Sequence, residues 1–497
     1  MTSSVPRVAI IGSGVSGLAA LWALCSKPSH EVHLYESNDY LGGHTHTIAF
    51  KHGAESTMVD TGFIVLNTAT YPNFIAFLAH IGVQTVQTEM SFSVSRNSGE
   101  FEWAGTSIAS VFAQRSNIFK LSMWRMIFDI IRFNTFALDV LEKESTPVGG
   151  GESEETLGSY LNREGYSQGF KNDYLLPMTA AIWSTSPDKC ALDFPVVTLV
   201  RRNHHLLNIT SARPQWLTIK GGAKNYVDAV MKSVPNYQVH VSTPVTSVRG
   251  AINGKILVST KRGAMEYEYE YDHVILATHG DQALSLLGKD ATKLEKEILG
   301  AFKTSKNTAI LHSDKNLLPV NPETWASWNY MTASTATSRN VNKVSLTYNM
   351  NILQHIHPSR FGDVLVTLNP LTPPHPSTVQ GEWEYEHPLY TPEVIQAQRR
   401  LVQIQNKRGI TFAGAWTGYG FHEDGFTSGL RAAVDSLGAE VPWDLRSVKS
   451  FRGNSPQKKK AQEVGLRMVI GLIQWCVIML EVLLAGLGMG TGKEKQL

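Results

Sequence analysis

The stretch RVAIIGSGVSGLAALWAL, residues 7–24, decides the fold. An apolar run from Val8 to Ile11 passes directly into Gly12, Gly14 and Gly17, then into a segment with apolar residues at helical spacing, Leu18, Leu21 and Leu24. The order predicts strand, tight turn and helix. Gly12 suits the sharp turn, Gly14 carries no side chain to hold a pyrophosphate away, and Gly17 lets helix and strand pack closely. The N–H groups at the start of the helix then face the phosphates. A second apolar stretch, EVHLYE, ends at Glu36, nineteen residues after Gly17. A carboxylate at that distance accepts hydrogen bonds from a ribose hydroxyl and disfavours a 2′-phosphate.

Working outward, YESNDYLGGHTHT, residues 35–47, follows Glu36 with Gly42 and Gly43 and then with two histidines, His44 and His46. Two readings compete: a divalent-metal site, or backbone lying against a phosphate-bearing cofactor. A metal needs three or more converging ligands, and no third is evident nearby, so no metal is expected. A nicotinamide enzyme usually needs only the first glycine turn. Here the glycine pair extends the contact surface past the second strand, which favours the longer ligand, FAD, with His44 and Thr45 on the flavin side. One FAD and no nicotinamide is the expectation, because VGGGE follows no strand and GMGTG follows an apolar helix.

At 497 residues two intertwined domains are expected. A net charge of +2 makes no case for nucleic acid. Cys25, Cys190 and Cys476 lie far apart without a CxxC, against a disulfide framework or a zinc site and in keeping with a reducing compartment. MTSSVP leaves no room for a signal or transit segment before the first strand. At the other end, Lys458, Lys459 and Lys460 and a linker around Ser455 and Pro456 precede an apolar tail. Met468 to Leu480, thirteen residues, carry no charge; Arg467 and Glu481 bracket them. Such a segment spans a membrane if Glu481 is accommodated, lies in the interface, or is a buried or dimerising helix. Membrane association through this helix is expected, at the cytoplasmic side of an intracellular membrane, or a cytoplasmic location if it is not inserted.

Between the ends, PVGGGESEE (147–155) reads as a polar loop. YQVHVSTPVTSVRG, GKILVST and EYEYEYDHVILATHG read as extended, the last ending in Thr278, His279 and Gly280. In GITFAGAWTGYGFHEDGFTSGLRAAVDSL, residues 409–437, a strand from Ile410 to Phe412 runs into Gly414, an aromatic loop follows, and a helix is expected to start near Gly425 or Phe426. Its N–H groups would face a flavin edge that gains negative charge on reduction. Ser13 and Val245 complete the cofactor-binding candidates, with Thr278, Gly414, Asp424, Gly425 and Phe426.

These motifs together resemble the amine-oxidase-type FAD superfamily along most of the chain. More narrowly, GGHTHT, VDTGFIVLN, YLLPMTAAIWS, WNYM, LNPL and GFHEDGFTSGL are similar to a branch that also supplies the N-terminal flavoprotein portion of plant cyclopropane-fatty-acid synthases. The resemblance implies non-covalent FAD, a lipid acyl substrate and an α/β fold. A Rossmann-like FAD-binding domain would be built from discontinuous segments (1–90, 216–290 and 406–445). A mixed α+β substrate domain (91–215 and 291–405), a polar linker (446–463) and the apolar helix (464–490) would complete the chain.

WTGYGFHEDG holds no cysteine, so covalent flavin attachment is not expected, and it is more polar than an amine cage requires. Trp416 and Tyr419 are candidates to flank the flavin. His422, beside Glu423 and Asp424, is a candidate proton shuttle, while Asp424 suits the N-cap of the following helix. In LVRRNHHLL, Arg201 and Arg202, with His204 and His205, are either a carboxylate clamp or a solvated surface pair. Trp183, Trp325 and Trp328 are core or cavity lining. The expected activity is hydride removal from a C–H bond of an apolar substrate, with oxygen or a membrane-side carrier as acceptor. An amine oxidase releasing peroxide, and a non-catalytic flavoprotein partner of a lipid-modifying enzyme, are the alternatives.

Overall fold

The computed structural model describes residues 5–26, 29–137, 139–140, 155–183, 192, 196–197, 199–200, 214–234, 238–333, 344–445 and 461–486. The loop at 147–154, the Arg201/Arg202/His204/His205 cluster, Cys190, the linker with Ser455 and Pro456, and Lys458–Lys460 lie outside the described residues.

The first expected strand forms as β1, Arg7–Ile11, and the second as β2, Glu31–Tyr35. With β3 (Val239–His240), β4 (His273–Leu276) and β5 (Ile410–Phe412) they build a five-stranded sheet in the order β3-β2-β1-β4-β5, parallel throughout. Successive side chains of β1 enter different cores. Val8 and Ile10 pack with helix α1, Val15–Cys25; Ala9 and Ile11 face the second layer. Apolar residues on both faces are what a parallel sheet covered on both sides needs.

Helix α1 is buried on nearly all sides, from Ser16 to Leu24. It packs against helix α2, Pro72–His80, and helix α4, His422–Leu437, in one core. The approach to α4 is backbone on backbone: a Cβ on Gly429 would stand 2.0 Å from the Ser16 carbonyl oxygen.

A second, seven-stranded sheet runs in the order Val379–Pro388, Thr304–His312, Leu365–Leu368, Val344–Asn349, Trp328–Thr332, Phe92–Arg96, Phe101–Ala104. Only the pairing of Trp328–Thr332 with Phe92–Arg96 is parallel. Its core takes in Met123 and Met126 of helix α3, Leu121–Phe136, and Ala180 and Ala181 of the helix Leu176–Trp183.

The C-terminal helix α5 spans Ala461–Gly486. Among the described residues no helix is long and apolar enough to cross a membrane. Arg467 anchors α5 to the rest of the fold. Its guanidinium is held 2.7 and 3.0 Å from the Asp139 carboxylate, donates to the Thr135 carbonyl at 2.8 Å and lies over the Phe136 ring, which ties the start of α5 to the end of α3.

Candidate active site

The two sheets enclose a cavity of about 490 Å³. At one end the wall is backbone. Gly12 takes φ +101°, and a Cβ there would meet the Ala277 carbonyl oxygen at 2.8 Å; a Cβ on Gly17 would meet that of Gly12 at 1.9 Å. Gly14 differs, since a Cβ there would meet nothing within 4 Å. It is also the N-cap of α1 and makes no side-chain cap bond, so the first N–H groups of the helix are left for a ligand. Gly43 closes over this turn, its added Cβ falling 3.1 Å from the Gly14 Cα, while Gly42 N–H donates to the Ser13 carbonyl at 3.1 Å. The Glu36 carboxylate borders the cavity and accepts four bonds, from Ser13 N–H (2.9 Å), Ser13 Oγ (2.7 Å), Asn38 N–H (2.8 Å) and Ser37 Oγ (3.1 Å). An open space over bare N–H groups, beside a fixed carboxylate, fits the diphosphate and ribose of FAD.

Further along, His44, Gly62–Val65, Thr278, His279, His387, Tyr390, Gly414, Trp416 and Tyr419–His422 border the cavity. His44 and His46 diverge because His44 still lies in the turn that the Thr45 N–H closes on the Gly42 carbonyl (2.9 Å), whereas His46 leads into the strand Thr47–His52. His46 Nδ1 is bonded to Thr61 Oγ1 (3.1 Å) and the Tyr385 hydroxyl (3.0 Å). His44 packs against His387 and His279, with ring centroids 5.4 and 6.0 Å apart. Burial, then the neighbouring imidazoles, hold His44 well below the usual histidine range, and burial takes His387 down to about 4. The cluster is therefore neutral at physiological pH.

Several expected site residues do not border the cavity. Gly17 is a packing glycine. Thr45 turns away to the Tyr226 hydroxyl at 2.5 Å, and Val245 is half-buried in its own strand, Val245–Gly250. Helix α4 starts at His422, three residues before Gly425, with Phe421 as N-cap. Asp424 sits inside its first turn and accepts the N–H groups of Tyr419 and Phe421, both at 3.1 Å, so it braces the loop and is not the N-cap. Gly425 packs on Val15 and Ser16, and Phe426 lies between Phe74 and Phe77.

The three polar residues of HEDG point three ways, as successive helical residues do. Glu423, fully buried, accepts the Asn73 (3.0 Å) and Phe74 (2.9 Å) N–H groups at the start of α2, and burial pushes it up to about 8. His422 is stacked on Phe63 at 3.8 Å with Nε2 2.9 Å from the Tyr226 hydroxyl, and burial takes it down to about 3. That is the reverse of what a proton shuttle near neutral pH needs. Trp416 is pinned by its indole N–H to the Thr278 carbonyl (2.8 Å) and by an edge contact with Phe302, leaving Tyr419 the more exposed of the two aromatic candidates.

Sequence reasoning missed most of the remaining wall. Ile64, Val65, Met90, Ala181, Trp216 and Tyr348 converge with Trp328 on the cavity from connecting segments, strands and a helix. Among the tryptophans flagged beforehand Trp328 is lining, with its indole N–H buried and without a hydrogen-bond partner, whereas Trp325 bonds the Pro319 carbonyl. The side chain of Trp183 lies outside the described residues.

A parallel sheet with a glycine turn, a carboxylate held beside it and a cavity lined from both sheets fits an FAD-dependent oxidoreductase. The chain belongs to the flavin containing amine oxidoreductase family, whose model matches residues 15–314. Solved structures share the fold. They include a CLA-producing fatty acid isomerase from P. acnes (13% identity, TM-score 0.59, 88% of this chain and 100% of that one). Cyclohexylamine oxidase from Brevibacterium oxydans IH-35A is similar (12%, 0.59, 87% and 99%), as is putrescine oxidase bound to putrescine (14%, 0.60, 86% and 98%). No curated protein matches the chain.

Proposed function

We propose that this enzyme removes a hydride from a C–H bond of a lipid-like apolar substrate, leaving a desaturated or isomerised acyl chain. The carrying observation is the chamber wall of Ile64, Val65, Met90, Ala181, Trp216, Trp328 and Tyr348, which among the described residues holds no carboxylate. The acids that border the cavity lie outside this wall: Glu36 is held by its four donors, Glu384 forms an exposed pair with Lys306 (3.4 Å), and Glu386 accepts from Gln282 (3.2 Å). The histidines are neutral, so nothing in this wall offsets the desolvation of a second cationic end such as a diamine carries. FAD supplies the hydride acceptor. The chain supplies an aromatic and aliphatic enclosure that orients the substrate and keeps out water.

The resemblance of GGHTHT, VDTGFIVLN and GFHEDGFTSGL to the flavoprotein portion of cyclopropane-fatty-acid synthases supports the same reading. A neighbour of the same fold described as a fatty acid isomerase supports it too. Tyr390 and Tyr419, both on the cavity wall, favour a second reading, oxidation of an amine with release of peroxide. An anaerobic screen of the holoenzyme against fractionated lipids and against amines separates the two. The expected result is an acyl product lighter by two hydrogen atoms with loss of flavin colour, or one of unchanged mass with a moved double bond. Flavin reduction by polyamines alone, with ammonia formed, overturns the proposal.

A further inference from the structure

Most of the large apolar side chains left exposed among the described residues fall in two segments. In the first, Ile108, Phe119 and Leu121 are 83, 88 and 85% exposed, and Trp124 and Ile131 continue the series. Helix α3 buries Met123, Met126 and Phe133 on its inner side, yet Leu121, Trp124 and Ile131 form an apolar stripe on its outer side. Packing within the fold accounts only for the inner side. The second segment is α5, which turns a narrow stripe of Arg467, Ile470, Gln474 and Val477 away from solvent and exposes Met468, Leu472, Trp475 and Leu483. The two meet at α3: Ile131 lies one turn before Thr135, whose carbonyl accepts from Arg467.

Charge identifies the occupant. Between residues 105 and 137 the one acid is Asp129, buried and paired with Arg125 (3.2 Å) and Arg132 (3.1 Å). Lys120 stands exposed between Phe119 and Leu121, and Arg115 lies 3.8 Å from Glu323. In sequence, Lys458, Lys459 and Lys460 precede α5. Apolar tips interleaved with cations suit an anionic lipid surface, where the tips enter the acyl boundary and the cations meet headgroups.

We propose that the outer stripe of α3, the preceding segment 108–120 and α5 form one face that docks this protein on an anionic bilayer. Met123 and Met126, beneath that face, share a core with Ala181 of the cavity wall, so an apolar substrate would meet the enzyme on this side. The docking does not depend on what is oxidised.

The test is co-sedimentation of the full-length holoprotein with vesicles of phosphatidylcholine, with and without about 20 mol% phosphatidylglycerol. Wild type should pellet with the anionic vesicles and less with the neutral ones. Phe119→Glu with Leu121→Glu, and separately Met468→Glu with Leu472→Glu, should each weaken binding about tenfold or more. Flavin content and Tm should hold, because these side chains face solvent. Lys120→Gln should give a smaller, salt-dependent loss. Failure to pellet with either vesicle overturns the proposal. So does normal binding by the Phe119/Leu121 variant, or a dimer in light scattering that these substitutions split, since a second copy would then cover the face.

Discussion

The nucleotide end of the cavity and its apolar chamber are built in different ways. Around Gly12–Gly17, backbone touches backbone, and a single methyl on Gly17 or Gly429 would fall about 2 Å from a carbonyl oxygen that belongs to a strand turn or a helix. The chamber is walled by side chains from distant parts of the chain, which meet only in the folded molecule. The first surface tolerates almost no change in sequence. The second is made of side chains, so it can change shape without any backbone moving.

Glycine substitutions break this contrast most severely. Gly17→Ala and Gly429→Ala should each cost about 3 kcal/mol or more, because neither backbone oxygen can yield, and the protein should be recovered with little flavin. Gly14→Ala is the informative counterpart. At φ −61° with open space beside it, the chain accepts the methyl with Tm nearly unchanged, while FAD affinity falls about tenfold or more as the methyl enters the diphosphate space. Flavin-to-protein ratio and thermal melts measure both; unaltered FAD binding by Gly14→Ala would remove the diphosphate from that space.

Next in size is Glu36→Gln. It replaces an anion that accepts from two backbone N–H groups and two hydroxyls, so FAD should bind some tenfold to a hundredfold more weakly, as read by isothermal titration of the apoprotein. In the chamber, Met90→Glu should leave FAD content intact yet cut turnover of an apolar substrate about tenfold, since an unpaired carboxylate must be desolvated beside it. Equal loss of flavin in that variant would mean the two regions are not separate.

The smallest effect is in pH. His422 and His387 have folded pKa values depressed to about 3 and about 4, so their contribution to stability is present above the unfolded value near 6.5 and is lost as pH falls toward 4. Each should remove about 1 kcal/mol per pH unit in that window. Asp60 and Glu423, raised to about 7 and about 8, act with the opposite sign: their contribution is full below about 4 and lost as pH rises through 7 to 8. With two groups of each sign, the slopes nearly cancel between about pH 4 and 6.5, so stability should be level there and fall above about pH 6.5; His422→Asn should make it decline with rising pH across that window and leave the limb above it unchanged.

The glycine-turn end of the cavity was legible in the sequence. Strand, glycine turn, helix and Glu36 were legible because each rests on local geometry: apolar runs, helical periodicity, a positive φ at Gly12, and a carboxylate one strand away. The helix after the aromatic loop was legible too, but its start was misplaced by three residues, because the polar residues His422, Glu423 and Asp424 read as loop while tertiary partners buried or engaged all three. Only the tertiary structure decided which histidines meet. His44 and His46 are neighbours in sequence and face different partners, whereas His44, His279 and His387 come from three elements and gather at one wall. The same holds for Met90, Ala181, Trp216, Trp328 and Tyr348. No period or spacing along the chain encodes such a meeting, because it depends on strand pairings across more than two hundred residues, such as Trp328–Thr332 beside Phe92–Arg96, and on burial that exists only once both sheets have closed over the cavity.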